Sequence, residues 1–379
     1  MAVIFLYFAL FLGVHFLSKQ FLDKPSGKAK HKRPGAARLF QLIACFILLF
    51  GFFGFRDITI LNDTPHYYGS YYQLTKIRGY VESSVFVYRL LTGFEYGYQV
   101  VQHILMKYVS KEPYTIILFS SLVITCGNIY FWNKRTKNIA LAILMVLLSS
   151  TLIEQYSLIR QAFALMFFYK AYDFLKREEW KPYTLIIICA AFFHLSVLVL
   201  LVLPILQKLK INRRNVILIL GSAFVISLTV YQLFSLLGQS ENIYFIMNKK
   251  REAFPLGAVL DGLLMLAIIL SCAYMNKKDG IKEINRTDFW LCLSGLGVCI
   301  ITPAFLSFFR INVYLWPFIY AIFFKKAEKH PQLLTALLIV LTVKIAVILA
   351  FRNEYYHLIP YSFYDWSDKF HYFNLYWKQ

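Results

Sequence analysis

Residues 182–206 read PYTLIIICAAFFHLSVLVLLVLPIL, an apolar run with no charged side chain and one imidazole, His194, at its middle. Cations bracket it: Lys176, Arg177 and Lys181 come before, and Lys208, Lys210, Arg213 and Arg214 after. Short basic connectors stay on the cytoplasmic side of a membrane. A single crossing would therefore need an unusual basic outer loop, and that is the alternative reading. A hairpin that returns to the side it came from keeps both groups of cations inside. Each arm then has about a dozen residues, against the roughly 20 that a full crossing takes, which suits a broken or re-entrant pair. The tip falls at Phe193-His194-Leu195-Ser196. Non-helical backbone at that depth needs protein or water around it.

The same rule orders the rest of the chain. Its 379 residues are 59% apolar and 16% charged, whereas soluble domains run at roughly 45–50% and 25%. Forty Lys and Arg face 20 Asp and Glu, a net charge of +20. On a soluble chain that excess would suggest nucleic acid; here the cations gather in turns between apolar blocks, and nucleic-acid binding is excluded. Segments 2–17, 37–55, 113–132, 138–154, 157–175, 215–237, 257–275, 288–307, 309–324 and 332–351 each predict a crossing. With the hairpin they make an all-α polytopic membrane protein of about ten transmembrane helices in one integral domain, 1–379. The first block has no basic n-region or cleavage site and reads as a retained helix. Basic connectors at 18–38, 133–138, 176–181, 276–287 and 325–330 are expected inside. Both termini, the tail 352–379 and the partly helical segment 56–112, where six basic residues face five acids, are expected outside. All six cysteines lie in apolar blocks, so no disulfide framework is indicated.

Ionisable groups in or beside membrane spans are costly and mark function. The first set is Arg56-Asp57, then Asp63 on a turn ahead of Pro65, with Tyr67 and Tyr68. Carboxylates accept sugar hydroxyl hydrogens and aromatic rings cover apolar sugar faces; helix capping is the alternative for Asp63. Glu95 and Tyr98 open an amphipathic stretch running to Lys107, where a carboxylate at the helix start would also be explained by the helix dipole. Arg160 and Gln161 sit a few residues inside an apolar segment, with Tyr156 four residues earlier on the expected helical face. A planar guanidinium suits phosphate oxygens, and snorkelling to the interface is its plainer use. His194 and Ser196 occupy the hairpin tip, and histidine exchanges protons near neutral pH. Arg310 lies between two apolar blocks as a second possible phosphate contact. The chain has no Gly-rich phosphate loop and no metal-ligand spacing, so neither cofactor nor metal is expected.

Four segments in this order resemble a known family: Asn62-Asp63-Thr64 with Tyr67-Tyr68, Glu95-Tyr96-Gly97-Tyr98, Ile159-Arg160-Gln161-Ala162-Phe163-Ala164, and Ala190-Ala191-Phe192-Phe193-His194-Leu195-Ser196. They are similar to the EpsG type of exopolysaccharide polymerase, related in role to the Wzy O-antigen polymerases. Tyr96 and Leu195 stand where the family usually has proline, and Asn62 where it commonly has glycine. The resemblance implies a glycosyltransferase of the bacterial cytoplasmic membrane. It would join oligosaccharide repeats carried on undecaprenyl diphosphate, at the outer face, into exopolysaccharide, capsule or O-antigen. It also implies the bilayer as partner, with a flippase and a chain-length regulator as further candidates. In that chemistry His194, or failing that Asp63, takes the proton of the acceptor hydroxyl, and Arg160 with Arg310 stabilises the departing lipid diphosphate. The competing readings are a flippase for lipid-linked sugars and a membrane acyltransferase that decorates surface glycan.

Overall fold

The computed structural model describes residues 2–23, 34–76, 93–238, 243–251, 255–281, 284–351 and 356–366. They are almost wholly helical, and the one extended pairing among them is an isolated bridge between Arg56 and Phe363. Packing divides the chain into two compact units: residues 1–169, 189–195 and 336–379 form unit 1, and residues 170–188 and 196–335 form unit 2.

Unit 1 begins with α1 (Ala2–Asp23) and α2 (Pro34–Gly54), which pack together. Pro34 starts α2, where its missing N–H costs nothing. Next come α3 (Thr64–Lys76), α4 (Tyr96–Tyr108) and α5 (Thr115–Arg135), with α5 set against α2 and α3. Segment 56–112 is thus partly helical as expected, its residues 77–92 lying outside the described ones. Lys134 and Arg135 end α5, where cations complement the carbonyl end of the helix.

The crossing expected at 138–154 is not one helix. It is α6 (Ile139–Leu148) and α7 (Thr151–Ser157), bent by 75°. Ser150 at the break takes a left-handed backbone, φ 68°. Hydroxyls satisfy part of the interruption: Ser149 Oγ donates to Val146 O at 2.9 Å and lies 3.0 Å from Thr151 Oγ1. Lys344, far inside the apolar helix α16 (Pro331–Phe351), donates to the freed carbonyl of Ser149 at 3.3 Å. Apolar residues fill 139–148, and the Ser-Ser pair after them hinted at the break.

Two connectors share one end of unit 1. Arg38 Nε donates to Asn133 Oδ1 at 2.7 Å, and Ile139 N to Gln41 Oε1 at 2.9 Å. From Arg38 α2 climbs about 24 Å, most of a hydrocarbon core, to Gly54 at the opposite end.

The helix α8 (Ile159–Lys176) begins in unit 1 and ends in unit 2. It leads into α9 (Trp180–Ala191), whose return arm is a 3₁₀ helix (Leu195–Val202) and α10 (Leu203–Lys208). Tyr183 Oη donates to Leu200 O at 2.6 Å, and Trp180 Nε1 to Gln207 Oε1 at 3.0 Å. As one arm ascends the other descends, so residues 182–206 are a hairpin turning at 192–194. Twelve helical residues rise only about 18 Å, short of a crossing.

The rest of unit 2 is α11 (Arg213–Leu236), the short α12 (Ile243–Lys249), α13 (Leu256–Lys278), α14 (Arg286–Ile301), a 3₁₀ turn (Leu306–Phe308) and α15 (Phe309–Ala327). Asn212 and Asn285 cap α11 and α14, accepting from Asn215 N and Asp288 N. Among the described residues seven helices are long and apolar enough to cross a membrane, or eight if the bent pair counts as one. Two expected crossings fall short of that measure. The 157–175 segment is helical, but Arg160, Lys170, Asp173 and Lys176 lower its apolarity; the 288–307 segment yields a helix of only 16 residues before Thr302. The architecture is nonetheless an all-α polytopic membrane protein.

Candidate functional site

The site grows from the end of unit 1 remote from the basic connectors. Arg56, expected at the substrate, is instead fully buried. Its guanidinium donates to Phe53 O, to Ser121 Oγ at 3.0 Å, to Thr64 Oγ1 at 3.2 Å and to Tyr156 O at 3.2 Å. It ties the end of α2 to the start of α3, to α5 and to α7. Tyr156 stacks on Phe53 with ring centres 4.0 Å apart. Asp57 is buried beside it, its carboxylate accepting from Thr59 N at 2.8 Å and Thr59 Oγ1 at 2.7 Å, which makes a local turn.

This frame fixes where α3 and α8 begin. Tyr67 lies one turn into α3 and is buried, with half-buried Asp63 near enough to act on its phenol electrostatically. Leu158, at φ −88° and ψ 60°, separates α7 from α8. Tyr156 and Arg160 therefore belong to different helices, and their spacing in sequence gives them no shared helical face. Arg160 stands in the first turn of α8, with Gln161 buried behind it.

Glu95 is the N-cap residue of α4, yet its side chain makes no capping hydrogen bond. The carboxylate turns the other way. One oxygen, Oε2, pairs with Arg160 Nη1, and the other, Oε1, lies 2.8 Å from His194 Nδ1. The Arg160 guanidinium also covers the Phe94 ring at 4.5 Å and lies within hydrogen-bonding reach of the Tyr67 phenol. Its Nε is buried with no hydrogen-bond partner. Side-chain exposures of 21% for Arg160, 13% for Glu95 and 16% for His194 leave the trio reachable, unlike Arg56. Burial alone would raise the pKa of Glu95, but the His194 hydrogen bond and the Arg160 charge outweigh it and hold the carboxyl below its ordinary value. Glu95 is thus an anion, so His194 Nδ1 must be the donor. The other ring nitrogen, Nε2, is left to accept a proton from another group.

His194 reaches this carboxylate because of where the hairpin turns. After Ala191 the chain makes tight turns in which Phe193 N and His194 N both bond to Ala190 O, at 2.9 and 3.2 Å. The turn is pinned to α4: Gly97 N donates to Phe192 O at 2.8 Å. A Cβ on Gly97 would stand 2.8 Å from Phe192 O and 3.0 Å from its carbonyl carbon. Only glycine allows so close an approach of two backbones. Below the trio, Tyr98 is fully buried and packs on Tyr67, Phe94 and Phe163, while Phe193 meets Phe163. Tyr98 is therefore a floor under the site and not a surface for sugar. Its hydroxyl is buried with no hydrogen-bond partner.

Residues from the four sequence segments thus meet in unit 1: Asp63 and Tyr67, Glu95 and Tyr98, Arg160 and Gln161, and His194. The remaining candidates make other contacts. Tyr68 turns toward the C-terminal tail, its hydroxyl 3.4 Å from that of Tyr364. Ser196 and Arg310 belong to unit 2, where Ser196 Oγ lies 3.0 Å from Tyr314 Oη and Arg310 sits in the first turn of α15. Among the described residues no three His, Cys, Asp or Glu side chains come together as metal ligands would.

Two features escaped the sequence reading. Phe94 is the ring on which Arg160 rests, and its only signal was its place immediately before Glu95. The tail, expected outside, folds back on the frame. Tyr364 N donates to Phe55 O and Asp57 N to Ser362 O, and the Tyr364 ring stacks on Tyr114 at 3.8 Å.

No curated protein and no solved structure matches the chain. The family profile that does match, described as the EpsG family, covers residues 39–363. That range runs from α2 to the tail bridge at Phe363 and contains every residue of the trio. The match takes in far more than half of this multi-pass membrane protein and carries with it a polysaccharide-biosynthesis, exopolysaccharide-polymerase-like role; the chain belongs to the EpsG family.

Proposed function

We propose that Glu95, Arg160 and His194 are the catalytic centre of a glycosyltransferase that extends a sugar chain carried on a polyprenyl diphosphate. The observation that carries this reading is the single Glu95 carboxylate, held between an imidazole on one oxygen and a guanidinium on the other. Glu95 orients His194 through Nδ1. His194 Nε2 takes the proton from a hydroxyl of the acceptor sugar as that oxygen bonds to the anomeric carbon of the donor. The anomeric carbon–oxygen bond to the diphosphate breaks, and the lipid diphosphate leaves with the electron pair. Arg160 faces the negative charge that develops there, with its unpartnered Nε a further donor. Asp63, half-buried ahead of Tyr67, lines the acceptor side and accepts from sugar hydroxyls.

The same geometry bears on which face the reaction uses. The trio lies at the end of unit 1 opposite Arg38 and Lys134, and basic connectors stay in the cytoplasm. The reaction then takes place at the outer face of the cytoplasmic membrane, on repeat units already flipped across it. A flippase would need charge spread along a path through the spans, whereas this trio gathers at one end.

The test is reconstitution of the full-length protein in vesicles with lipid-linked repeat units, reading the product as a ladder. Arg160→Ala and Arg160→Lys should each reduce ladder formation by about 10²–10³, the usual loss for one donor to a developing anion. Lys keeps the charge but not the planar fork. Ladders of normal length in both variants would refute the role.

A further inference from the structure

Unit 2 contains a second place built for an anion, separate in sequence from the trio. A cavity of about 550 Å³ is lined by Tyr231, Gln232 and Ser235 near the end of α11 and by Asn248, Lys249 and Arg251 at the end of α12. That volume falls within the range of small-molecule sites, about 300–1,000 Å³. Among the described residues, both charged side chains on its wall are cations.

Arg251 is fixed and half satisfied. Its Nη2 donates to Pro303 O at 2.6 Å, while Nη1 is buried with no hydrogen-bond partner. Asn248 anchors the same turn, accepting from Leu306 N at 2.6 Å and donating to Ser307 Oγ at 3.1 Å. Tyr231 Oη donates to Ala304 O at 3.1 Å. The guanidinium is therefore held in place by backbone on one side and presents an unmatched donor on the other. An acceptor with negative charge is its chemical complement.

Position adds an independent reason. Within unit 2 the basic connectors gather at one end: His330 bonds Asp279 at 2.9 Å, and Lys326 bonds Asn276. The cavity residues stand at the far end of α11 from Arg213 and beside the 302–308 turn, which faces away from those connectors along α14 and α15. With those connectors of unit 2 in the cytoplasm, Lys249-Lys250-Arg251 are three consecutive cations on the outer side, where topology disfavours them. Ligand binding supplies the reason for them that topology does not.

We infer that this cavity binds a phosphate-bearing anion, and that in the membrane the anion is the diphosphate headgroup of a lipid-linked chain. A chain-extending enzyme handles two such lipids, and the cavity, built from residues other than the Arg160 centre, anchors one of them. The inference rests on the proposed function only for the identity of that lipid, not for the anion site itself.

The test uses full-length protein in phosphatidylcholine nanodiscs, with ³²P-labelled undecaprenyl diphosphate and ³²P-labelled inorganic pyrophosphate as probes. Lipid diphosphate should bind, and Arg251→Ala should weaken it about tenfold or more, as loss of a charge-assisted bond does. Lys249→Ala, at an exposed side chain that folding does not need, should weaken it less, and Lys181→Ala not at all. Binding of pyrophosphate alone, still dependent on Arg251, assigns the site to free phosphate compounds. Equal binding by wild type, Arg251→Ala and Lys249→Ala, or binding of neither probe, overturns the inference. His194→Ala separates the two assignments. Arg251-dependent binding should persist in it, and if sugar chains also still grew, the catalytic reading would fail while the cavity stood.

Discussion

Arg56 and Arg160 look alike in the sequence, each an arginine at the edge of an apolar segment. Depth and partners separate them. Arg56 spends its donors on Phe53, Ser121, Thr64 and Tyr156 and is fully buried, so Arg56→Ala leaves several acceptors unmatched at about 1–3 kcal/mol each. Its expected signature is loss of folded protein, read as membrane-extracted yield and melting temperature. Arg160→Ala should keep yield and lose chain growth. Glu95 shows the opposite surprise. A carboxylate at a helix start is easily explained by the helix dipole, and only the absence of a side-chain cap in the structure frees it for Arg160 and His194. Its pKa is lowered in the folded protein. A depressed carboxyl stabilises the fold above its unfolded value, and that contribution drains away as pH falls through the lower folded one. The acid loss of stability due to Glu95 should therefore lie below its ordinary value of 4.5. In Glu95→Gln that part of the acid limb should vanish from melts recorded between pH 6 and the acid transition, and an unchanged acid limb would count against the ion pair.

The hairpin was legible at the level of elements because its evidence is arithmetic: two arms too short to cross, with cations at both feet. Its tip was legible too, but the reason His194 meets Glu95 was not, since the sequence does not reveal that Gly97 lets α4 touch Phe192 O. Gly97→Ala should part those backbones, for the blocking atoms are a carbonyl and not a flexible side chain. Chain growth should fall by at least tenfold with the protein still inserted, and Gly13→Ala, where an added Cβ meets nothing, should have no effect. Full chain growth in Gly97→Ala would show that the tip need not be pinned. The break between α6 and α7 is the contrary case. Apolar residues run unbroken from Ile139 to Leu148 and the Ser149-Ser150 pair marks the place, but nothing in composition shows that Ser150 turns left-handed.

The molecule as a whole reads as a membrane protein from composition alone, and the shared side of its basic connectors and the approximate span count follow from charge and length. What composition could not supply was the division into two units and the return of the tail onto residues 55–57. Those depend on tertiary contacts between segments some 300 positions apart. Orientation makes the broadest prediction. In a background freed of native cysteines, His66→Cys should react with a membrane-impermeant maleimide on intact cells, and Lys137→Cys only after lysis. Both positions are exposed and belong to opposite ends of unit 1, so the reverse pattern would invert the map.

The central claim, that the Glu95–His194 pair drives extension of lipid-linked chains, is tested most directly by the lipid-linked glycan profile of cells whose only copy carries His194→Ala. The account predicts that single repeat units accumulate on the lipid carrier and that polymer is lost, with the variant protein present at the wild-type level. A normal polymer ladder from that strain would contradict it.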